Sequence, residues 1–123
     1  INLSSSSSIY GIPYLGVYSA SKHYVKGLSE ALSIEWEVDD IRVICIKPPV
    51  INNRMGEKLD PTLTKKMAIE LDSEDVAKVI IKAVDDTKTS YLLSFKAQAW
   101  AFINRFLSQK SRRGLVKYLC SIK

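Results

Sequence analysis

The sequence predicts an α/β layered fold, and three observations predict it. Candidate strands and helices alternate along the 123 residues in the order strand, helix, strand, helix, strand, the pattern of helices laid on a sheet. The run Ile41–Pro48 (IRVICIKP) is apolar on both faces, which suits a strand buried between helix layers, as in a parallel sheet. Two long segments carry a helical rather than an alternating apolar period. The length allows at most one domain with a core of its own.

Ile1–Leu3 reads as a strand end entering the serine run Ser4–Ser8; a flexible low-complexity linker is the alternative reading of that run. Gly11, Pro13 and Gly16 mark a loop. From Val17 to Val38, Tyr18, Val25, Leu28, Leu32 and Trp36, widened by Ala31, form a helical stripe. Asp39-Asp40 ends it, and Pro48-Pro49 stops the following strand, since proline has no N–H for a ladder. Asn52–Glu70 is polar and broken by Gly56 and Pro61, which predicts short helical pieces in a mobile stretch. Asp72, with Asp75 three residues on, caps a second helix whose apolar face is Val76, Val79, Ile80, Ala83 and Val84. Tyr91–Phe95 is the last strand candidate, and residues 97–109 are helical again.

Composition narrows the class. Apolar residues make up 46% and charged residues 25%, the balance of an ordinary globular chain. Cys45 and Cys120 cannot build a disulfide framework, and Cys45 in its apolar run reads as a small buried residue. No apolar stretch approaches the ~20 residues of a membrane span, and no signal pattern opens the chain. It starts at Ile1, without Met, so a longer parent is expected. The net charge of +5 is uneven. Lys96, Arg105, Lys110, Arg112, Arg113, Lys117 and Lys123 face no acidic residue in the tail, whereas residues 1–95 carry eleven basic against thirteen acidic side chains.

Ser5, Tyr18 and Lys22 carry the chemistry. Tyr18 and Lys22 are four apart at a helix start, so they project from one face. A neighbouring ammonium stabilises a phenolate and brings tyrosine toward acid–base work. A serine hydroxyl from a second element suits holding a substrate oxygen beside it. The bare pair has another reading, a packed tyrosine and a solvated lysine. Single His23 excludes a zinc cluster or a Ser-His-Asp triad within these residues. Trp36 and Trp100 read as packing, and Asp39-Asp40 and Asp85-Asp86 as solvated helix ends.

The surroundings resemble the short-chain dehydrogenase/reductase family. The family pattern of Asn-hydrophobic-Ser-Ser, Gly and Pro in the loop, then Tyr-x-Ala-Ser-Lys, is met by Asn2-Leu3-Ser4-Ser5, Gly11, Pro13 and Tyr18-Ser19-Ala20-Ser21-Lys22. Its following strand ending in Pro-Gly is met by IRVICIKPP, with Pro49 in the glycine position. The resemblance spans about residues 1–95 and implies the C-terminal half of a Rossmann-like doubly wound parallel sheet, with 96–123 as a basic amphipathic tail.

It further implies carbonyl–alcohol interconversion with NAD or NADP, with Ser5 orienting the substrate oxygen, Tyr18 as acid or base, and Lys22 reaching the nicotinamide ribose. Pro48, Pro49, Val50 and Ile51 would lie along the nicotinamide, and Asn53 stands where the family has a cofactor-contacting threonine. The glycine-rich turn and the Asn-Asn-Ala-Gly segment do not occur here. Pro49 removes an N–H and restricts φ, and Ser7-Ser8 replaces the usual Ala-Gly. Only the thirteen-residue spacing to Tyr18 selects Ser5 over Ser4 and Ser6.

The tail leaves alternatives open. Trp100, Phe102, Ile103, Phe106 and Leu107 precede the basic SQKSRR. The segment reads as a helix docked on its own domain, as an amphipathic surface over 97–117 at an anionic membrane, or as a lid over an apolar substrate mouth. Nucleic acid is not expected, because no recognition motif accompanies the charge. The expectation is thus a cytoplasmic oxidoreductase, membrane-associated where the tail takes its second reading, acting on a small carbonyl or alcohol substrate of lipophilic kind and forming a homo-oligomer in its parent. A non-catalytic module that binds through the tail is the rival, and an inactive relic a third.

Overall fold

The structure is a computed structural model that describes residues 1–58, 71–120 and 122. Strands β1 (Asn2–Leu3), β2 (Cys45–Lys47) and β3 (Ser90–Leu92) form one sheet in that order. Both pairings are parallel, with Leu3 opposite Ile46 and Ile46 opposite Tyr91. Helix α1 (Gly16–Glu35) connects β1 to β2, and α2 (Ser73–Asp85) precedes β3. Helices α3 (Phe95–Phe106) and α4 (Gln109–Leu119) follow the sheet. This is the expected α/β arrangement of a Rossmann-like fragment.

The strands are shorter than the apolar runs that announce them. Val43, Ile44, Cys45 and Ile46 are all buried, as a strand covered on both faces requires. Regular pairing covers only Cys45–Lys47 because the neighbouring strands are two and three residues long. Tyr91–Phe95 is cut back likewise: Ser94 leaves the sheet and caps α3, accepting from the Ala97 N–H at 3.4 Å.

Ile44, Ile46 and Ala83 form the core under the sheet, with Ile80, Tyr91 and Leu93 packed against them. Ala83 has no exposed surface, so its small side chain lets α2 approach β2 closely. Asp72 closes a full capping box with Asp75. Its carboxylate accepts from the N–H groups of Glu74 (2.8 Å) and Asp75 (3.0 Å). At the other end of α2 the Arg42 guanidinium donates to the carbonyls of Ala83 and Val84, satisfying groups the helix leaves open. Val84, expected on the packed face, is exposed.

Helix α1 packs differently from its apolar stripe. Tyr18, Val25 and Leu32 are half-buried, but Leu28 and Trp36 are exposed, and the buried positions are Ser19 and Ser29. Hydroxyl contacts explain the rotation. Ser29 Oγ accepts from Asn2 Nδ2 at 3.1 Å, Ser4 Oγ donates to the Lys22 carbonyl at 2.8 Å, and Ser19 Oγ accepts from the Ile12 N–H at 3.0 Å. Small polar residues let the helix sit close to β1 while these hydroxyls keep partners. Asp40, in the left-handed region at φ 55°, turns the chain after α1.

The tail also departs from expectation. The helix expected over 97–109 ends at Phe106, because Leu107 turns to extended backbone, and a second helix follows it, with Ser108 capping α4 and accepting from the Ser111 N–H at 3.2 Å. Val116 of α4 and Cys120, which caps its C-terminal end, pack with Trp100, Tyr10 and Ile12. The tail therefore docks on the loop that leads into α1. Short helical pieces expected over 52–70 are met by one turn at Gly56–Lys58; residues 59–70 lie outside the described residues. No helix among the described residues is long and apolar enough to cross a membrane.

Candidate active site

The ends of β1 and β2 place the candidate residues. In a parallel sheet ligands bind outside the carboxyl ends of the strands, and the chain leaves β1 at Ser4 and β2 at Pro48. The Ser6 N–H donates to the Pro48 carbonyl at 2.9 Å, holding the two exits side by side. Ser5 is the N-cap of a tight turn over Ser6–Ser8, and its Oγ accepts from the Ser7 N–H at 3.2 Å. The same hydroxyl lies 3.5 Å from the Pro48 carbonyl, too long for a strong bond. Its proton is therefore only weakly committed within the protein.

Tyr18 and Lys22 face these exits from the first turns of α1. Lys22 Nζ donates to the Leu3 carbonyl at 3.0 Å and lies 5.6 Å from the centre of the Tyr18 ring, within cation–π range. An ammonium has three donors, so the bond to Leu3 leaves two for other acceptors.

All eight residues expected from the sequence line one cavity of about 470 Å³: Ser5, Tyr18, Lys22, Pro48, Pro49, Val50, Ile51 and Asn53. Asn53 is turned partly to structural duty. Its Oδ1 accepts from the N–H groups of Met55 (3.1 Å) and Gly56 (2.8 Å). Gly56 is required there, because a Cβ would lie 2.4 Å from the Ile51 carbonyl oxygen. Asn53 thus holds the turn at the cavity wall.

The sequence reading passed over several lining residues. Ile12, Leu15, Met55 and Val76 supply apolar wall; no local pattern separates them from core positions. Ser7 also lines the cavity, and its Oγ is buried with no hydrogen-bond partner among the described residues. Its signal was present, since serine replaces the family's small apolar residue there. A buried hydroxyl without a partner costs free energy. The cavity therefore joins an apolar enclosure to a few convergent polar groups, as ligand sites do. No group of three or more His, Cys, Asp or Glu side chains suitable for a metal occurs among the described residues.

A parallel sheet with hydroxyl, phenol and ammonium gathered at a cavity on its carboxyl edge is an α/β arrangement. Comparison with known proteins gives the family. Residues 1–64, more than half the chain, match the short chain dehydrogenase family, and the chain belongs to it. It is 48% identical over 52 residues to a 3-ketodihydrosphingosine reductase of Bacteroides thetaiotaomicron, covering 42% of this chain and 19% of that protein. It is 32% identical over 84 residues to the mouse very-long-chain 3-oxoacyl-CoA reductase, covering 68% and 25%. A tropinone reductase homolog of Datura stramonium is 31% identical over 67 residues, covering 54% and 25%. The chain thus spans about a fifth to a quarter of the length of these relatives.

Proposed function

We propose that the protein carrying this chain is an NAD- or NADP-dependent oxidoreductase that interconverts a carbonyl and an alcohol on a lipophilic substrate. The observation that carries the reading is the cavity on which Ser5, Tyr18, Lys22 and the segment from Pro48 to Ile51 converge. Ser5, with a weakly committed proton, donates to the substrate oxygen and fixes its place. Tyr18 gives a proton to that oxygen in reduction and takes it back in oxidation. Lys22, anchored on Leu3, keeps a positive charge beside the phenol and offers its remaining donors to ribose hydroxyls.

Pro48, Pro49, Val50 and Ile51 fit the nicotinamide end of such a cofactor, forming a wall at the exit of β2 with few N–H groups to satisfy. The cofactor, when bound, supplies the hydride equivalent. Leu3, Ile12, Leu15, Met55 and Val76 give the cavity its apolar lining, and two relatives are reductases whose names carry sphingoid and very-long-chain acyl substrates. Both support a long-chain carbonyl compound.

The test follows NADH and NADPH oxidation by the complete protein with 3-oxo substrates of increasing chain length. Rising kcat/KM with chain length, abolished by Tyr18→Phe, supports the reading. Turnover unaffected by that substitution overturns it.

A second role for the tail is supported by its exposed aromatics. Phe95, Phe102 and Phe106 stand in solvent beside basic residues, with Phe102 and Phe106 in edge contact at 5.2 Å, a composition suited to an anionic membrane surface. We also propose homo-oligomerisation through α1, whose Val17, Tyr24 and Ile34 are exposed. Cross-linking of the complete protein, with Ile34→Glu as the disruptive variant, tests that contact.

A further inference from the structure

A second cavity, of about 340 Å³, lies on the other side of the serine turn, with Ser8 and Ile9 in its wall. Four cationic side chains line it: Lys26 of α1, Lys47 of β2, Arg105 of α3 and Arg112 of α4. No carboxylate among the described residues lines it. Their own commitments leave most of the charge uncompensated. Lys26 meets Glu30 at 3.5 Å across one helical turn, a largely exposed pair of small worth. Lys47 Nζ donates to the neutral Ser90 hydroxyl, and Arg112 Nε donates to the Leu107 carbonyl at 2.8 Å. Arg105 has no ion-pair partner among the described residues and is exposed. Gathering like charges around a concavity is unfavourable without an anion to neutralise them.

An independent observation sharpens the ligand. Asn104 lines the same cavity and is 7% exposed, and its Oδ1 is buried with no hydrogen-bond partner among the described residues. Its Nδ2 is directed instead to the Ile9 carbonyl at 3.4 Å. The cavity thus offers donors for an oxyanion, and the unsatisfied amide oxygen of this lining residue is an acceptor that a ligand hydroxyl would fill. We propose that this cavity binds a phosphate group carried beside a free hydroxyl, as in a phosphorylated polyol or the headgroup of a hydroxylated anionic phospholipid. Arginine forks suit phosphate geometry, and charged hydrogen bonds are the stronger kind. The site is separate from the reductase cavity and does not depend on the oxidoreductase reading.

Binding to the complete protein is measured without turnover, by calorimetric titration with glycerol 3-phosphate and with inorganic phosphate. Saturable binding with one site, tighter for glycerol 3-phosphate, is expected. Arg105→Gln and Lys47→Gln each weaken it at least about tenfold, the loss of one charged hydrogen bond. Arg113→Gln, an equal charge loss on α4 outside the cavity, leaves it within about twofold. A second arm measures sedimentation with phosphatidylglycerol and with phosphatidylcholine vesicles. Retention on the former that Arg105→Gln abolishes, and excess glycerol 3-phosphate reverses, assigns the phosphate to a lipid headgroup. Binding in the soluble arm alone assigns it to a free phosphomonoester. The proposal is overturned if the folded protein binds in neither arm, or if Arg113→Gln weakens binding as much as Arg105→Gln. Binding that survives both cavity substitutions overturns it too. Equal affinity for the two soluble probes overturns the role given to Asn104.

Discussion

The two cavities share a wall and differ in almost everything else. The Ser4–Ile9 segment turns its first serines toward Tyr18 and Lys22 and its last two residues, Ser8 and Ile9, toward Arg105 and Arg112. The first cavity is apolar, with one cation and a few hydroxyls; the second is ringed by four cations. The first is assembled from the ends of adjacent parallel strands and the helix between them. The second needs side chains from residues 26 to 112, brought together only when the tail docks through Val116 and Cys120. One short turn can thus separate a largely apolar enclosure from one ringed by cations.

Five substitutions test how independent the two are. Tyr18→Phe has the largest expected effect, lowering turnover about a hundredfold to ten-thousandfold, while glycerol 3-phosphate affinity stays unchanged. A parallel loss of phosphate binding would break the separation. Ile46→Ala strikes the strand that leads into both cavities, and Ile46 has no exposed surface. It should cost about 2–5 kcal/mol in urea unfolding and weaken both ligands together.

Gly56→Ala is expected to act on the first cavity alone. The added methyl meets the Ile51 carbonyl oxygen at 2.4 Å, so the wall must shift, at about 1–3 kcal/mol, with KM rising and phosphate affinity constant. Asp72→Ala removes the capping box of α2 and should cost about 1 kcal/mol, read as a lower unfolding midpoint with both sites intact.

The smallest effect concerns pH. Among the described residues the Tyr91 hydroxyl makes no well-aligned hydrogen bond. Its looser approach to Asp86 is nonetheless the main influence drawing that carboxyl below its usual range, partly opposed by desolvation and aided by the Thr87 and Lys88 N–H groups. A lowered carboxyl contributes stability that is complete above its ordinary value of about 4 and fades as pH falls through the lowered one. Asp86→Asn should therefore unfold at lower urea than the parent above about pH 4, with the gap narrowing below it. A gap that widens on acidification would reverse the sign.

Legibility divided along the same line as the cavities. Ser5, Tyr18 and Lys22 were readable because a strand exit, a loop and a helix start keep them within eighteen positions of one another, where spacing dictates geometry. The capping box at Asp72 was readable for the same reason. The buried face of α1 was not. Its apolar stripe suggested Leu28 and Trp36, but hydrogen bonds from Asn2, Ser4 and Ile12 to the helix turned Ser19 and Ser29 inward. Periodicity reports which side chains avoid water, and it carries no information on which hydroxyl finds a partner across the sheet.

By itself, the sequence determined the order of strands and helices, the residues that come to share the first cavity, and a basic tail without acidic residues of its own. Those properties rest on local steric preference and on charge, which neighbouring residues set. Tertiary structure alone decided that the tail breaks at Leu107, folds back on Tyr10 and Ile12, and brings two of its arginines to one cavity with Lys26 and Lys47. Convergence of charges so far apart in the chain depends on how elements pack, and packing is a property of surfaces that meet only in the folded molecule.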